Sequence, residues 1–98
     1  MDKTGFENYL SSATYMLNGK ETHYTNAAIK SRVTKASALE KDLGINLDDY
    51  VTDDSKFAQL LIDVREAGIE TLAHTPKSNA ARHYYAYRNG GKQFGRLF

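Results

Sequence analysis

Apolar residues recur at helical spacing in four segments of the chain, and polar stretches that contain glycine separate these segments. In the first segment, Thr4 to Leu17, apolar side chains stand at i, i+3, i+4 and i+7 from Phe6. Thr4 and Glu7 have capping-box spacing, and Asn18-Gly19 is typical of a helix end because both residues tolerate the left-handed conformation. The pattern therefore predicts a helix from Thr4 to Leu17.

The second segment, Thr25 to Leu43, is the longest, and its apolar stripe has a basic face opposite to it. Thr25 is a suitable N-cap, and Gly44 is a suitable helix end. The stripe consists of Ile29, Val33, Ala36, Leu39 and Leu43. This segment predicts a long amphipathic helix.

The third segment runs from Ser55 to Ala67 and ends at Gly68. Asp53 or Asp54 is the expected N-cap. Its core face consists of Phe57, Leu60, Leu61 and Val64. The spacing of these four residues predicts a helix that packs on the body through one side.

The fourth segment opens at Thr75-Pro76, where threonine at the N-cap and proline at the first helical position are a strong start signal. It ends at Asn89-Gly90-Gly91. Tyr84 and Tyr87 share its apolar side with Ala80, so we expect both tyrosines in the core.

Together these segments predict an all-α fold, a single compact bundle of four helices over residues 1–91 with a basic and aromatic tail over residues 92–98. Strand patterns are almost absent. The stretch 45–51 would lack a partner as a strand, so Ile45, Leu47 and Val51 are instead expected to be inward anchors of a turn.

Composition narrows the function classes. The 98 residues include no cysteine, which excludes disulfides, thiolate nucleophiles and cysteine-based metal sites. No apolar run is long enough to span a membrane, and the polar start is unlike a secretory signal, so we expect a cytoplasmic protein with no membrane partner.

The net charge of the chain is +1, but residues 71–98 hold five basic residues and no acidic residue. Such asymmetry indicates either an anionic partner or a merely solvated basic face.

Catalytic constellations are not evident in the sequence. The histidines lack ligand spacing, no phosphate-cradling glycine loop opens a helix, and no nucleophile elbow occurs. Four carboxylates, Asp48, Asp49, Asp53 and Asp54, lie within seven residues, but turn and cap roles suit them better than a metal. The sequence therefore predicts no enzyme, no catalytic or metal-ligating residues, no cofactor and no small-molecule substrate.

Two helix surfaces are candidates for phosphate contacts. Lys77, Asn79 and Arg82 crowd the start of the fourth helix, where free backbone N–H groups and the helix dipole favour an anion. Lys30 and its polar neighbours form a second basic face on the second helix. Capping and solvation are the alternative explanation for both surfaces, and the sequence does not show whether the two face the same way.

The chain also resembles the N-terminal, core-binding (SAM-like) domain of tyrosine recombinases, the phage integrase family. The opening Phe6-Glu7-Asn8-Tyr9-Leu10 is similar to the family's first helix, and the helix from Thr25 to Leu43 is similar to its second. The run Ala80-Ala81-Arg82-His83-Tyr84-Tyr85-Ala86-Tyr87 is similar to the family's fourth helix, after Gly68-Ile69 and Thr75.

This resemblance implies a four-helix DNA clamp in which the second and fourth helices approach the duplex. With Arg88 added at the end of the fourth helix, the expected DNA contacts are Asn26, Lys30, Lys77, Asn79, Arg82, His83 and Arg88. The family's catalytic domain has no counterpart in these 98 residues. The chain is thus expected to be a non-catalytic module that contacts mainly the phosphate backbone of double-stranded DNA, of a kind found in phages and mobile elements.

A protein-interaction module is the competing hypothesis. In that case a small adaptor or inhibitor docks on a protein partner through an exposed Tyr85 together with Phe94 and Phe98 of the tail. Whether Phe94 and Phe98 instead pin the tail to the body stays open at this point.

Overall fold

The computed structural model of the chain describes residues 1–70 and 74–94. It is a mainly helical globule of four helices with one small β-hairpin. The elements in chain order are α1 (Lys3–Ser12), β1 (Thr14–Leu17), β2 (Lys20–His23), α2 (Asn26–Leu43), a 3₁₀ turn (Leu47–Asp49), α3 (Asp54–Glu66) and α4 (Pro76–Arg88).

The hairpin corrects the prediction of an all-α fold. α1 ends at Ser12, and Asn18-Gly19 is the turn of an antiparallel hairpin rather than the end of a helix. Both turn residues have positive φ, 51° for Asn18 and 78° for Gly19, which a two-residue hairpin turn with the right twist requires. The last third of the predicted first helix therefore forms β1.

The N-cap of α1 also differs from the prediction. Asp2, not Thr4, is the N-cap, and its carboxylate accepts a hydrogen bond from the backbone N–H of Gly5 at 3.0 Å. The capping box predicted from Thr4 and Glu7 is therefore absent. Asp2 is the better cap here because a carboxylate also favours the positive end of the helix dipole.

α2 follows the sequence prediction closely. Thr25 caps it through a hydrogen bond from the N–H of Ala28, and Gly44 ends it in the left-handed conformation with φ 64°. Ile29, Val33 and Leu39 are buried, as the predicted stripe requires. Leu43, at the end of the stripe, is only partly buried.

The segment between α2 and α3 consists of turns that caps hold in place. Asn46 caps the 3₁₀ turn and Asp53 caps α3, where the Asp53 carboxylate accepts from the N–H groups of Ser55 and Lys56. Leu47 and Val51 are fully buried, which confirms them as inward anchors, while Ile45 is partly buried. All four predicted core residues of α3 are buried.

α4 lies at the centre of the core. It packs most extensively against α2, and also against α1. α4 runs in the opposite direction to α2, because Lys77 at the start of α4 bonds to Asp42 near the end of α2, and His83 in the middle of α4 bonds to Tyr24 just before α2. Its buried residues are Ala80, Ala81, Tyr84, Tyr85 and Ala86. Alanines at three of these positions let neighbouring elements approach closely.

No helix in the described ranges 1–70 and 74–94 is long and apolar enough to cross a membrane.

The start of α1 approaches α4 so closely that Gly5 has no room for a side chain. A Cβ at Gly5 would collide with the hydroxyl of Tyr87 and the carboxylate of Asp2, which bond to each other at 2.6 Å. Alanine normally stabilises a helix relative to glycine by about 1 kcal/mol. Here the collision opposes that gain.

We therefore expect Gly5→Ala to lower the free energy of unfolding by about 1–2 kcal/mol, within the usual cost of overpacking. Chemical denaturation measures this change. The matched control is Thr4→Ala on the exposed side of the same turn, which should be neutral or slightly stabilising. A stabilised Gly5→Ala variant would contradict the described packing of Tyr87 on α1.

Candidate nucleic-acid interface

The N-terminus of α4, predicted as a phosphate site, is already occupied by a carboxylate of the chain itself. Glu70 accepts hydrogen bonds from the N–H groups of Lys77 at 2.5 Å and Ser78 at 2.8 Å, and from the Ser78 hydroxyl at 2.5 Å. Thr75 holds the N-cap position, but its side chain makes no capping bond. Glu70 thus supplies the negative charge that a phosphate would have supplied.

The lysine at this end of α4 is also engaged. The Lys77 Nζ lies 2.6 Å from a carboxylate oxygen of Asp42 near the end of α2. Both side chains are about one-third exposed, so the pair joins the start of α4 to the end of α2 at the protein surface. A phosphate would have to compete with Asp42 for this lysine.

His83, another predicted DNA contact, bonds inside the molecule through both ring nitrogens. Its Nδ1 donates to the carbonyl of Asn79 at 2.7 Å, and its Nε2 accepts from the hydroxyl of Tyr24 at 3.1 Å. The guanidinium of Arg32 lies 4.5 Å from the centre of the Tyr24 ring. Burial, and secondarily the charge of Arg32, lower the pKa of His83, although the bond to Asn79 opposes the shift.

The remaining predicted α4 contacts differ in their exposure. Arg82 is half-buried and has contacts of its own within the protein. The side chain of Asn79 is exposed. Arg88 is exposed, with its Nε 3.8 Å from Asp48 and its guanidinium 5.9 Å from the centre of the Tyr87 ring. The α4 set therefore does not form one open cationic surface.

The predicted protein-docking residues are also placed differently from the expectation. Tyr85 is 1% exposed, so it lacks the exposure that the protein-interaction hypothesis requires. Its ring packs against Phe57 and Phe94, and its hydroxyl donates to Asp54 at 2.6 Å. Phe94 is partly buried against the same core and so pins this part of the tail to the body. Phe98 lies outside the described residues.

Acidic residues between α2 and α3 and at the start of α3 accept hydrogen bonds from the tyrosine hydroxyls of α4. The Tyr84 hydroxyl donates to Asp48 and accepts from the N–H of Asp2 at 2.8 Å. Burial raises the pKa of Tyr84 well above its usual range.

Within the part of the chain that the structure describes, no group of three or more His, Asp or Glu residues could hold a metal ion.

A second basic surface lies along the exposed side of α2 that is next to α1. Lys3 of α1 and Thr34, Ser37 and Lys41 of α2 line one groove of about 330 Å³ together with Val33 and Ala38. One and two turns before Thr34, Lys30 and Asn26 continue the same side of the helix and are exposed. We call this surface the lysine face, and its residues are Lys3, Asn26, Lys30, Thr34, Ser37 and Lys41.

The lysine face is cationic because the two acidic residues of α2 bond to groups that lie away from this face. Glu40 accepts from the N–H of Leu47 at 2.8 Å and lies 3.3 Å from the amino group of Met1. Asp42 is bound to Lys77. Glu7 of α1 is exposed, and no carboxylate is among the described residues that line the groove. The three lysines of the face form no ion pair with any other described residue.

The β-hairpin carries an apolar patch that sequence analysis missed. Tyr15, Met16 and Leu17 of β1 are 38%, 67% and 50% exposed. We call these three residues the hairpin patch. Within residues 1–70 and 74–94, these three are the large hydrophobic residues whose side chains are exposed. The predicted extension of the first helix to Leu17 hid this patch, because in a helix the same residues would continue an apolar stripe.

Comparison with protein-family models, curated proteins and solved structures finds no match to this chain. The resemblance to the core-binding domain of tyrosine recombinases therefore stays a prediction from short motifs.

The capping role of Glu70 can be tested by substitution. We expect Glu70→Ala to lower the free energy of unfolding by about 1–2 kcal/mol, because the first turn of α4 loses its acceptor and its favourable charge. Urea denaturation measures the loss. Glu66→Ala, at an exposed residue in the last turn of α3, is the control and should cost little, because an acid there opposes the helix dipole. Equal stability of the wild-type and Glu70→Ala proteins would show that α4 needs no such cap.

The environment of His83 predicts a pH dependence of stability. Because folding lowers the pKa of His83, the unfolded chain binds this proton more readily, and stability should fall as pH drops below about 6.5. Phenylalanine keeps a ring without a titrating nitrogen, so His83→Phe should show a smaller loss of Tm between pH 7.5 and 5.5. Identical pH profiles of the two proteins would refute the assignment.

Proposed function

We propose that this chain is a non-catalytic module that binds the phosphate backbone of double-stranded DNA through its lysine face. The observation that supports this most is the groove between α1 and α2, where Lys3 and Lys41 flank the hydroxyls of Thr34 and Ser37 without a lining carboxylate. Ammonium groups interspersed with small hydroxyl and amide donors are the side chains that proteins commonly direct at phosphate oxygens.

The dimensions of the lysine face suit a duplex. From Asn26 to Lys41, α2 rises about 22 Å at about 1.5 Å per residue. This length spans about six base pairs at about 3.4 Å each, so several phosphates are within its reach. A compact phosphate ligand would use only part of such a stripe, whereas a duplex backbone follows it.

The proposed interface keeps only part of the set predicted from sequence. Asn26 and Lys30 belong to it, and Lys3, Thr34, Ser37 and Lys41 are added. Lys77 and His83 have partners inside the protein and support the packing of α4 on α2. The competing hypothesis of a protein adaptor has less support, since Tyr85 is buried and Phe94 packs on the core.

The salt dependence of binding tests the proposal. Fluorescence anisotropy of a labelled duplex of about 20 base pairs should show binding that weakens steeply as salt rises, because bound lysines release counterions. Lys30→Ala and Lys41→Ala should each weaken binding and lower the slope of log K against log salt by about one unit.

Two other lysines serve as matched controls. Lys56→Ala removes an exposed charge from the first turn of α3, and Lys77→Ala removes the partner of Asp42. We expect both variants to keep the wild-type salt slope. A slope that falls with Lys77→Ala but not with Lys30→Ala would move the interface back to α4, and a wild-type chain that binds no duplex at low salt would overturn the proposal.

A further inference from the structure

The β-hairpin buries little of its own surface. All four residues of β1 and three of the four residues of β2 are exposed. A two-stranded hairpin by itself is only marginally stable in water, so this one depends on its contacts with the body. The Tyr15 ring supplies such a contact by packing on Tyr24, with 4.8 Å between the ring centroids.

Tyr24 is in turn held by two helices. Its hydroxyl bonds to the Nε2 of His83 on α4 at 3.1 Å, and the two rings meet edge to face with 5.9 Å between their centroids. From α2, the guanidinium of Arg32 lies 4.5 Å from the centre of the Tyr24 ring. Tyr24 therefore connects the hairpin to the helical body.

The hydrogen bond between Tyr24 and His83 requires a neutral imidazole. Because the Nδ1 of His83 donates to the carbonyl of Asn79 at 2.7 Å, the proton of the neutral ring is on Nδ1. The Nε2 is then free to accept from the Tyr24 hydroxyl. A protonated ring carries N–H groups on both nitrogens and can no longer accept, so the tyrosine hydroxyl would have to turn its proton away.

A positive charge on His83 would also have an unfavourable setting. The charged group facing the ring is Arg32 of α2, while Tyr9 of α1 faces Tyr24. The Nε of Arg32 is buried without a hydrogen-bond partner among the described residues, and none of the described carboxylates forms an ion pair with His83. Burial, and secondarily the Arg32 charge, therefore lower the pKa of His83.

From this geometry we propose that His83 is an acid-sensitive latch for the hairpin. Protonation of His83 releases the Tyr24 ring, and the hairpin then leaves the body and loses its strand pairing while the four helices stay folded. Tyr15 and His83 are not part of the buried core, so the helices keep that core when the latch opens. This local opening is distinct from the loss of global stability and does not depend on DNA binding.

The population of the open hairpin tests the proposal. Relaxation-dispersion or saturation-transfer NMR of the ¹⁵N-labelled full chain measures such a minor state from the amides of β1 and β2. The open state binds the proton with the ordinary histidine pKa of about 6.5, so the opening constant should rise by up to about tenfold from pH 7.5 to 5.5. The amides of α3 should show no such rise.

Two histidine variants form a matched pair. His83→Phe keeps a ring without a titrating nitrogen, so its opening constant should not change over this pH range. His23→Gln removes the exposed imidazole of β2, whose protonation could alter the hairpin signals directly, and it should keep the wild-type rise. Circular dichroism checks that both variants fold, and the exposed position of His23 makes that variant the safer one.

The outcomes decide the proposal. A rise that is confined to the hairpin, follows the titration of the His83 ring and persists in His23→Gln is the expected result. An opening constant that stays unchanged in the wild type would overturn the latch. So would an equal rise in α3, which would show a general loss of stability, or a rise that survives in His83→Phe. Should His83→Phe not fold, the wild type and His23→Gln still decide, because a rise that vanishes with His23 would assign it to that residue.

Discussion

The burial of α4 is the constraint on which the rest of the structure depends. A helix that is packed on most sides must find partners for its free N–H groups and for its tyrosine hydroxyls, because unpaired polar groups are costly in the interior. Glu70 accepts hydrogen bonds from the first turn of α4, and Asp48 and Asp54 accept them from the hydroxyls of Tyr84 and Tyr85. Three acidic residues thereby hold α4 in place.

This use of acidic side chains explains how a chain with a net charge of only +1 presents a cationic surface. The acids of α2 bond to Lys77 and to groups near the amino terminus, so the lysines on the outer side of α2 are left without a neutralising neighbour among the described residues. The lysine face is the region that we propose for a polyanion, and α4 supports α2 from the core.

Much of the fold follows from local signals in the sequence. The cap at Thr25, the helix end at Gly44, most of the buried stripe of α2 and that of α3 were predicted, and Asp53 is one of the two aspartates expected to cap α3. Each of these depends on residues a few positions apart. The hairpin was missed because residues 13–17 also continue a helical stripe, and Asn-Gly suits both a helix end and a hairpin turn. The roles of Glu70, Asp42 and Tyr85 depend on distant packing, which helical periodicity does not reveal. One available signal was Glu70 itself, an acid shortly before a predicted helix start.

The central claim is that duplex DNA contacts the lysine face and not the N-terminus of α4. Mapping backbone amide shifts of the labelled chain by NMR, as a duplex of about 20 base pairs is added at low salt, tests it most directly. We expect the largest shifts on Lys3 and along α2 from Asn26 to Lys41. Shifts concentrated on Lys77, Ser78 and Asn79, with α2 unchanged, would contradict it.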